Sequence, residues 1–363
     1  MVAHNYYTFL PTLLLCSLMF KYEILADSLT SPNIKYNKIK ISNFNITDKI
    51  AELEKDPKRA YTDRVLNGLP AVYKDFPFAT FVYVDEGESG EACTGSLIAP
   101  DIVVTAAHCL TSEGTDLFPT TKIFVSAGSV DNIKKNNNIF KVSKLVVHPN
   151  YNPKTAHNDV GLVFLSSKVS PKLATPTTIY NGTIFDGIPV QAAGWGLTSN
   201  EIDAKISSTL NYVDINISSS SVCKRINPNW TQNNGYSICS LVINGKDTCF
   251  GDSGGPLSLV TSSLRPLVGV TSVGAPPIGV DSDECGITGG VAYYTNLNFF
   301  SSWISEQTQI PLNELLSSGE FNSTSIDLKN KSSKSSSKSL FINNLGLKLF
   351  ILSFLSYGFN YLI

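Results

Sequence analysis

Ser253 lies in the run Gly251-Asp252-Ser253-Gly254-Gly255-Pro256, with Cys249 close upstream. A serine hydroxyl is a weak nucleophile at neutral pH. To attack a carbonyl it needs a base beside it and donors for the negative charge that develops. Glycines on both sides allow the tight turn that brings backbone N–H groups up to a reacting carbonyl. A base is available in Thr105-Ala106-Ala107-His108-Cys109, after the apolar runs Leu97-Ile98-Ala99 and Ile102-Val103-Val104. An acid to orient it is available in Asn158-Asp159, at the mouth of the strand-like run Val160–Leu165. Each residue alone has an ordinary structural explanation, as a turn or a core position. The three together point to acyl transfer through a covalent ester.

The chain order His108, Asp159, Ser253 resembles that of trypsin-like serine proteases of the chymotrypsin fold, and differs from the order in subtilisins and α/β-hydrolases. The resemblance extends over residues 65–308 and includes Ala193-Gly194-Trp195-Gly196 and the closing Phe299-Phe300-Ser301-Ser302-Trp303-Ile304. It implies an all-β fold of two six-stranded antiparallel barrels with a C-terminal helix around Phe299–Gln309. Ser253 would be the nucleophile, His108 the general base and then acid, and Asp159 the group that fixes the imidazole. The N–H groups of Gly251 and Ser253 would form the oxyanion hole, worth about 3–4 kcal/mol per donor in comparable enzymes. Short β-branched runs at Phe78–Val84, Lys122–Val125, Phe140–Val147 and Leu267–Val273 read as strands of such barrels.

The same resemblance implies a zymogen. Arg64-Val65-Leu66-Asn67-Gly68 is similar to the family's activation junction, although Val-Leu-Asn-Gly replaces the commoner Ile-Val-Gly-Gly. Cleavage after Arg64 would free the ammonium of Val65 to pair with Asp252, a buried ion pair acting as a registry switch. Asp247, six residues before the nucleophile, would form the base of the primary specificity pocket and favour substrates with Arg or Lys before the cut. Ser272, Val273 and Gly274 would supply one wall, and the segment Gly290-Val291-Ala292 the other. Counting back from Trp303 puts Ala292 where trypsins carry glycine, so its methyl would narrow the pocket; a one-residue gap would restore Gly290. The acids of the enlarged loop Ala275–Glu284 would sit near the pocket rim.

Seven cysteines are present, and Cys16 falls in an apolar N-terminal stretch. Spacing alone leaves the pairing of the other six open. The family pattern implies Cys93–Cys109, Cys223–Cys239 and Cys249–Cys285, each stabilising by roughly 2–4 kcal/mol, and hence an oxidising compartment. No cofactor is expected. No metal is expected either: the stretch Ser129–Phe140, where animal trypsins bind calcium, holds only Asp131 among its carboxylates and carries Lys134-Lys135. His148 and His157 read as surface-loop residues.

The remaining layout follows from composition. Residues 1–26 read as a signal peptide with the apolar core Phe9–Phe20, and 27–64 as a polar propeptide. After the peptidase domain, 309–340 is a Ser/Lys-rich tether and 341–363 a hydrophobic tail. Small residues, spacer and apolar end match a GPI-anchor signal, with Ser332 to Ser337 as attachment candidates; a transmembrane tail is the alternative. Asn45, Asn181, Asn216, Asn229, Asn322 and Asn330 stand in glycosylation sequons. A net charge of −2 gives no basis for nucleic-acid binding.

The reading is therefore a monomer, secreted to the extracellular space or anchored at the cell surface, that cuts proteins after Arg or Lys and is open to protein inhibitors. A catalytically silent homologue acting as a surface binding module is the alternative, and it usually lacks one of the three residues found here. An elastase- or chymotrypsin-like preference caused by Ala292 is a third, opposed by Asp247.

Overall fold

The computed structural model describes residues 38–42, 44–53, 68–112, 115–218, 220–260 and 265–317. Residues 1–26, read above as a signal peptide, the Arg64–Val65 junction, the sequons Asn322 and Asn330 and the stretch 341–363 lie outside them.

Two β-sheets carry the chain. The first is built from β3 (Ala79–Asp85), β4 (Ser89–Ala99), β5 (Ile102–Thr105), β6 (Ile123–Ser126), β7 (Ile139–Val147) and β8 (Gly161–Leu165), in the order β4-β3-β6-β7-β8-β5. A further β4–β5 pairing closes these six antiparallel strands into a barrel. Closure leaves no free edge at the seam, and it needs strong local bending. Register shifts at Leu97/Ala99 and Val142/Lys144 supply that bending. Along β3, Phe81, Val82 and Tyr83 are fully buried, as a strand wrapped between a barrel core and its neighbours requires.

The second sheet follows the order β12-β15-β14-β13-β10-β11. Its strands are β10 (Pro189–Gly194), β11 (Asn211–Asn216), β12 (Ser237–Leu241), β13 (Pro256–Leu259), β14 (Leu267–Ala275) and β15 (Val291–Asn296). An Ile217–Ser240 bridge links the end of β11 back to β12. Short strands β2 (Leu69–Pro70), β9 (Ile179–Tyr180) and β16 (Leu316–Ser317) attach at its margins. The two sheets share one apolar core, crossed by the edge-on contact of Phe81 with Trp195 at 5.6 Å between ring centres. Trp195 is buried and donates its indole N–H to Val130 O at 2.7 Å, which satisfies its polar end.

Helices are few. Helix α3 (Ser301–Thr308) occupies the expected C-terminal position, buries Ile304 and stops at Gln309, whose φ of 60° is the left-handed conformation that ends helices. It follows α2 (Ser220–Ile226) and precedes α4 (Leu312–Leu315). His148 is not a free loop residue: its ring packs on Phe300 and Trp303 at 5.2 and 5.1 Å.

The described part of 27–64, the stretch read as a propeptide, is folded. Strand β1 (Ile39–Ser42) adds to β4 as a seventh strand of the first sheet, and α1 (Ile46–Leu53) follows it. Asn45 caps α1, accepting from the N–H groups of Thr47 and Asp48 at 2.9 and 3.2 Å. Ile41 and Ile46 enter the core and Phe44 meets Tyr83 edge-on at 5.3 Å. These apolar positions stand within a segment whose overall composition is polar. The local alternation Lys38-Ile39-Lys40-Ile41-Ser42 provides them.

Candidate active site

His108 sits in a short helical turn immediately after β5, and Asp159 immediately before β8, so the pairing of β5 with β8 brings the two together. Asn158 makes this possible by adopting a left-handed φ of 58°, a conformation asparagine tolerates better than most residues. Asp159 is fully buried and His108 nearly so. One carboxylate oxygen, Oδ2, lies 2.8 Å from His108 Nδ1, and Oδ1 accepts from the backbone N–H of His108 at 3.0 Å. Oδ2 also accepts from the Ser272 hydroxyl at 2.6 Å, and Thr295 Oγ1 donates to the backbone carbonyl of Asp159 at 2.8 Å. Burial alone would raise the Asp159 pKa. The His108 charge and hydrogen bond, with those from Ser272 and the His108 amide, outweigh it and hold the carboxyl below its ordinary value.

Ser253 comes from the second sheet, on the loop between β12 and β13. Gly251 and Gly254 have φ of 98° and 75°, so the loop uses its glycines where other residues would be strained. A Cβ on Gly254 would overlap Thr105 Oγ1 and Thr94 O. The loop is stitched to both sheets. Ser253 O accepts from Thr94 N–H of β4 at 2.8 Å, Gly254 N–H donates to Thr271 O at 2.8 Å, and Thr94 Oγ1 donates to Gly251 O at 3.0 Å. Ser253 remains partly exposed, and with Gly251 and His108 it lines a single open cavity.

Asp247 lines the same cavity. Its oxygens accept from Thr248 N–H at 2.8 Å and Gly286 N–H at 3.1 Å. Burial raises its pKa to about 7, the two backbone donors oppose the rise, and the neighbouring Asp252 adds to it. The disulfide Cys249–Cys285 joins the two loops that frame this end, and Cys285 exchanges a pair of hydrogen bonds with the Asn200 side chain. Ser272 and Gly274 line the cavity from β14, and Asp283 and Glu284 reach its rim.

The sequence reading left this wall between Ala292 and, with a gap, Gly290. Ala292 does not line the cavity; Gly290 does. Ala292 stands inside the ladder, opposite Ser240 of β12 on one side and Gly274 of β14 on the other, and is only 4% exposed. Gly290 lies in the turn before β15, so the turn's backbone forms the wall.

Asp252, fully buried, accepts from Gly196 N–H at 2.7 Å and Cys249 N–H at 2.9 Å. Burial raises its pKa to about 6 against the effect of these two bonds. Arg64 and Val65 lie outside the described residues. The other two disulfides are Cys93–Cys109, next to His108, and Cys223–Cys239. Cys93, His108 and Cys109 bring three potential metal-ligating atoms together, but both sulfurs are consumed by their mutual bond. Asn181, Asn216 and Asn229 are exposed, as glycan acceptors must be.

Sequence reasoning missed Lys38, which lines the cavity from the start of β1. It also read Ser272 only as a pocket wall and not as a second donor to Asp159. The alternating pattern at 38–42 was the available signal for the first; nothing local announces the second.

A closed antiparallel barrel set against a second β-sheet, with a buried His–Asp pair from one and a glycine-flanked serine loop from the other, defines the chymotrypsin-fold class of hydrolases. The trypsin family profile matches residues 65–304. The chain is 31% identical over 277 residues to CLIP domain-containing serine protease B4 of Anopheles gambiae, covering 68% of this chain and 70% of that protein. It is 31% identical over 215 residues to kallikrein-14 of Homo sapiens, 59% of this chain and 73% of that one. With trypsin alpha of Drosophila melanogaster it shares 30% over 246 residues, 66% and 86% respectively. The chain belongs to the trypsin family of serine proteases.

Proposed function

We propose that the protein is a secreted or cell-surface endopeptidase that cuts after Arg or Lys and becomes active on cleavage after Arg64. The observation that carries this reading is the presence, in one cavity, of Ser253, of the His108 held by Asp159, and of the Asp247 carboxylate. In the proposed reaction the Ser253 oxygen attacks the carbonyl while His108 takes its proton. The N–H groups of Gly251 and Ser253 donate to the oxyanion, and His108 then protonates the leaving amine. Water, activated by the same imidazole, hydrolyses the acyl-enzyme. Asp159 keeps Nδ1 protonated, so that Nε2 is the atom available as base. Asp247, ionised, would pair with the substrate cation and leave an apolar side chain without compensation for the buried charge.

The zymogen step is the second part. The Val65 ammonium would join the Gly196 and Cys249 amides as a partner of Asp252 and favour its ionised form, locking the loop that carries Gly251 and Ser253. The three disulfides support passage through an oxidising compartment. Anchoring through 341–363, glycan attachment, a monomeric state and control by protein inhibitors belong to the same proposal, and release by a phosphoinositide-specific phospholipase tests the anchor.

The deciding experiment expresses residues 27–340, cleaves after Arg64 and offers Arg, Lys, Phe and Ala reporter peptides beside a Ser253→Ala control. Turnover of the basic reporters, lost in the control, supports the proposal. Silence toward every reporter favours the binding-module alternative, and preference for Ala or Phe overturns the assignment of Asp247.

A further inference from the structure

β4 has one edge paired with β3. On its other edge three partners come in order along the strand. β1 pairs with Ser89–Ala92, the Ser253 carbonyl accepts from Thr94 N–H at 2.8 Å, and β5 pairs from Ser96 onward. The propeptide strand is thus the immediate neighbour of the nucleophile loop on a shared edge. β1 runs antiparallel to β4, with Ile39 opposite Ala92 and Ser42 opposite Ser89, so its chain leaves the cavity as residue number rises. At the cavity end, Ile39 Cγ2 lies 3.3 Å from where a Cβ on Gly251 would stand. Lys38 lines the cavity together with His108 and Ser253. Its ammonium pairs with Glu91 Oε2 at 2.8 Å, donates to Thr111 O at 2.6 Å and lies 4.6 Å above the Phe118 ring.

A bound peptide has a fixed polarity here. With its scissile carbonyl at Ser253 and its preceding side chain directed to Asp247, the residues after the scissile bond must leave the cleft from N to C. β1 follows that same course, and one strand edge pairs with one strand at a time. Resting on the reading of this cleft as a peptidase site, we propose that β1 occupies the leaving-group side of the cleft as an internal competitor of the substrate. The Asp247 end is left open. Six of the seven cysteines are joined to one another and the seventh is Cys16, so after cleavage at Arg64 residues 27–64 carry no cysteine to tether them. The contacts of Ile41, Ile46 and Phe44 with the first barrel, the Lys38–Glu91 ion pair and the bond from Lys49 Nζ to Asn137 Oδ1 at 3.1 Å are what keep the strand in place. Short substrates and long substrates therefore meet different enzymes.

The test compares Arg64-cleaved wild-type protein with Ile41→Asp, which introduces a charge where β1 is buried. Two substrates are used: an arginine amide reporter with nothing after the scissile bond beyond its chromophore, and a peptide with five residues after the arginine. The expected result is a rise of fivefold or more in kcat/KM for the long peptide with the reporter unchanged, reversed by adding a synthetic peptide of residues 38–53. An equal rise for both substrates, or no rise for either, overturns the proposal. Should Ile41→Asp misfold, Ile46→Asp and inhibition of the wild-type enzyme by added 38–53 peptide, selective for the long substrate, decide it in the same way. A parallel series in Ser253→Ala protein measures binding of the labelled long peptide. Tighter binding in the Ile41→Asp background supports the competitor even if no form turns over a substrate, an outcome that would sink only the catalytic reading. Unchanged binding overturns the competitor independently of catalysis.

Discussion

Ser272 donates a 2.6 Å hydrogen bond to Asp159 Oδ2, the same oxygen that faces His108 Nδ1. Ser272 belongs to the β14 wall of the cavity, so the wall that would meet the substrate is bonded directly to the acid behind the base. The hydroxyl helps to hold the carboxylate ionised and turned toward the imidazole in a buried setting. Ser272→Ala should lower kcat by roughly tenfold, in line with a lost charge-assisted bond of about 1.5 kcal/mol, and should cost folding stability of the same order. Steady-state kinetics on the arginine reporter measures this. An unchanged kcat would mean that the His108 contacts alone fix Asp159.

Asp247 gives a pH signature. Burial raises its pKa to about 7, so below that value the free pocket holds a neutral acid. A cationic ligand selects the ionised form, so binding requires loss of that proton. Affinity for a small amidinium inhibitor should rise about tenfold per pH unit up to about pH 7 and then level off. Titration calorimetry across pH 5 to 9 checks it, and Asp247→Asn should flatten the profile and weaken binding throughout.

Asp252 gives a second signature, of the opposite practical kind. In the uncleaved protein its pKa stands raised from 3.8 to about 6. The folded state then binds more protons than the unfolded state within that window. Stability contributed by this group is present at low pH and is lost as pH rises through about 6. Chemical denaturation of the Ser253→Ala precursor should show the decline, and Asp252→Asn should reduce it, with Asp247 contributing a further fall in the same direction. Cleavage after Arg64 should remove the Asp252 contribution as the new ammonium pairs with the carboxylate.

Gly254 tests how rigidly the nucleophile loop is stitched. Its φ of 75° is unfavourable for alanine, and the added Cβ would strike Thr105 Oγ1 and the Thr94 and Ala106 backbone. Gly254→Ala should destabilise the fold by about 3 kcal/mol and abolish turnover, read by thermal unfolding beside the reporter assay. A stable, active variant would show that the loop relaxes freely.

Much of this was readable from the chain because the relevant signals are local. The glycines around Ser253 are required by backbone conformation at that spot, and the β-branched runs fall on β3, β6, β7 and β14 within a residue or two. The C-terminal helix is bounded by Gln309 in its left-handed state. Where the reading failed, the cause is non-local. Counting back from Trp303 put Ala292 on the pocket wall and left Gly290 as the alternative; which of them faces the cavity depends on both flanking strands and on the β14–β15 register shift between Thr271 and Val273. Residues 27–64 were read from their polar composition as a propeptide, with no element placed in them. The two buried isoleucines there find their partners only on the finished barrel, a surface no window of sequence contains. Ser272 reaches Asp159 across 113 positions of chain.

The Thr94 contacts have a consequence for how this molecule can be taken apart. One residue in the middle of a first-barrel strand donates through its amide to the carbonyl of Ser253 and through its hydroxyl to that of Gly251. The reactive loop of one half is thereby upholstered by the other half. A half produced alone would lack part of the chemistry outright, and a chimaera exchanging a barrel between relatives would carry every side chain needed for it and yet lack the scaffold that shapes the loop, unless the exchanged seam is matched at this threonine.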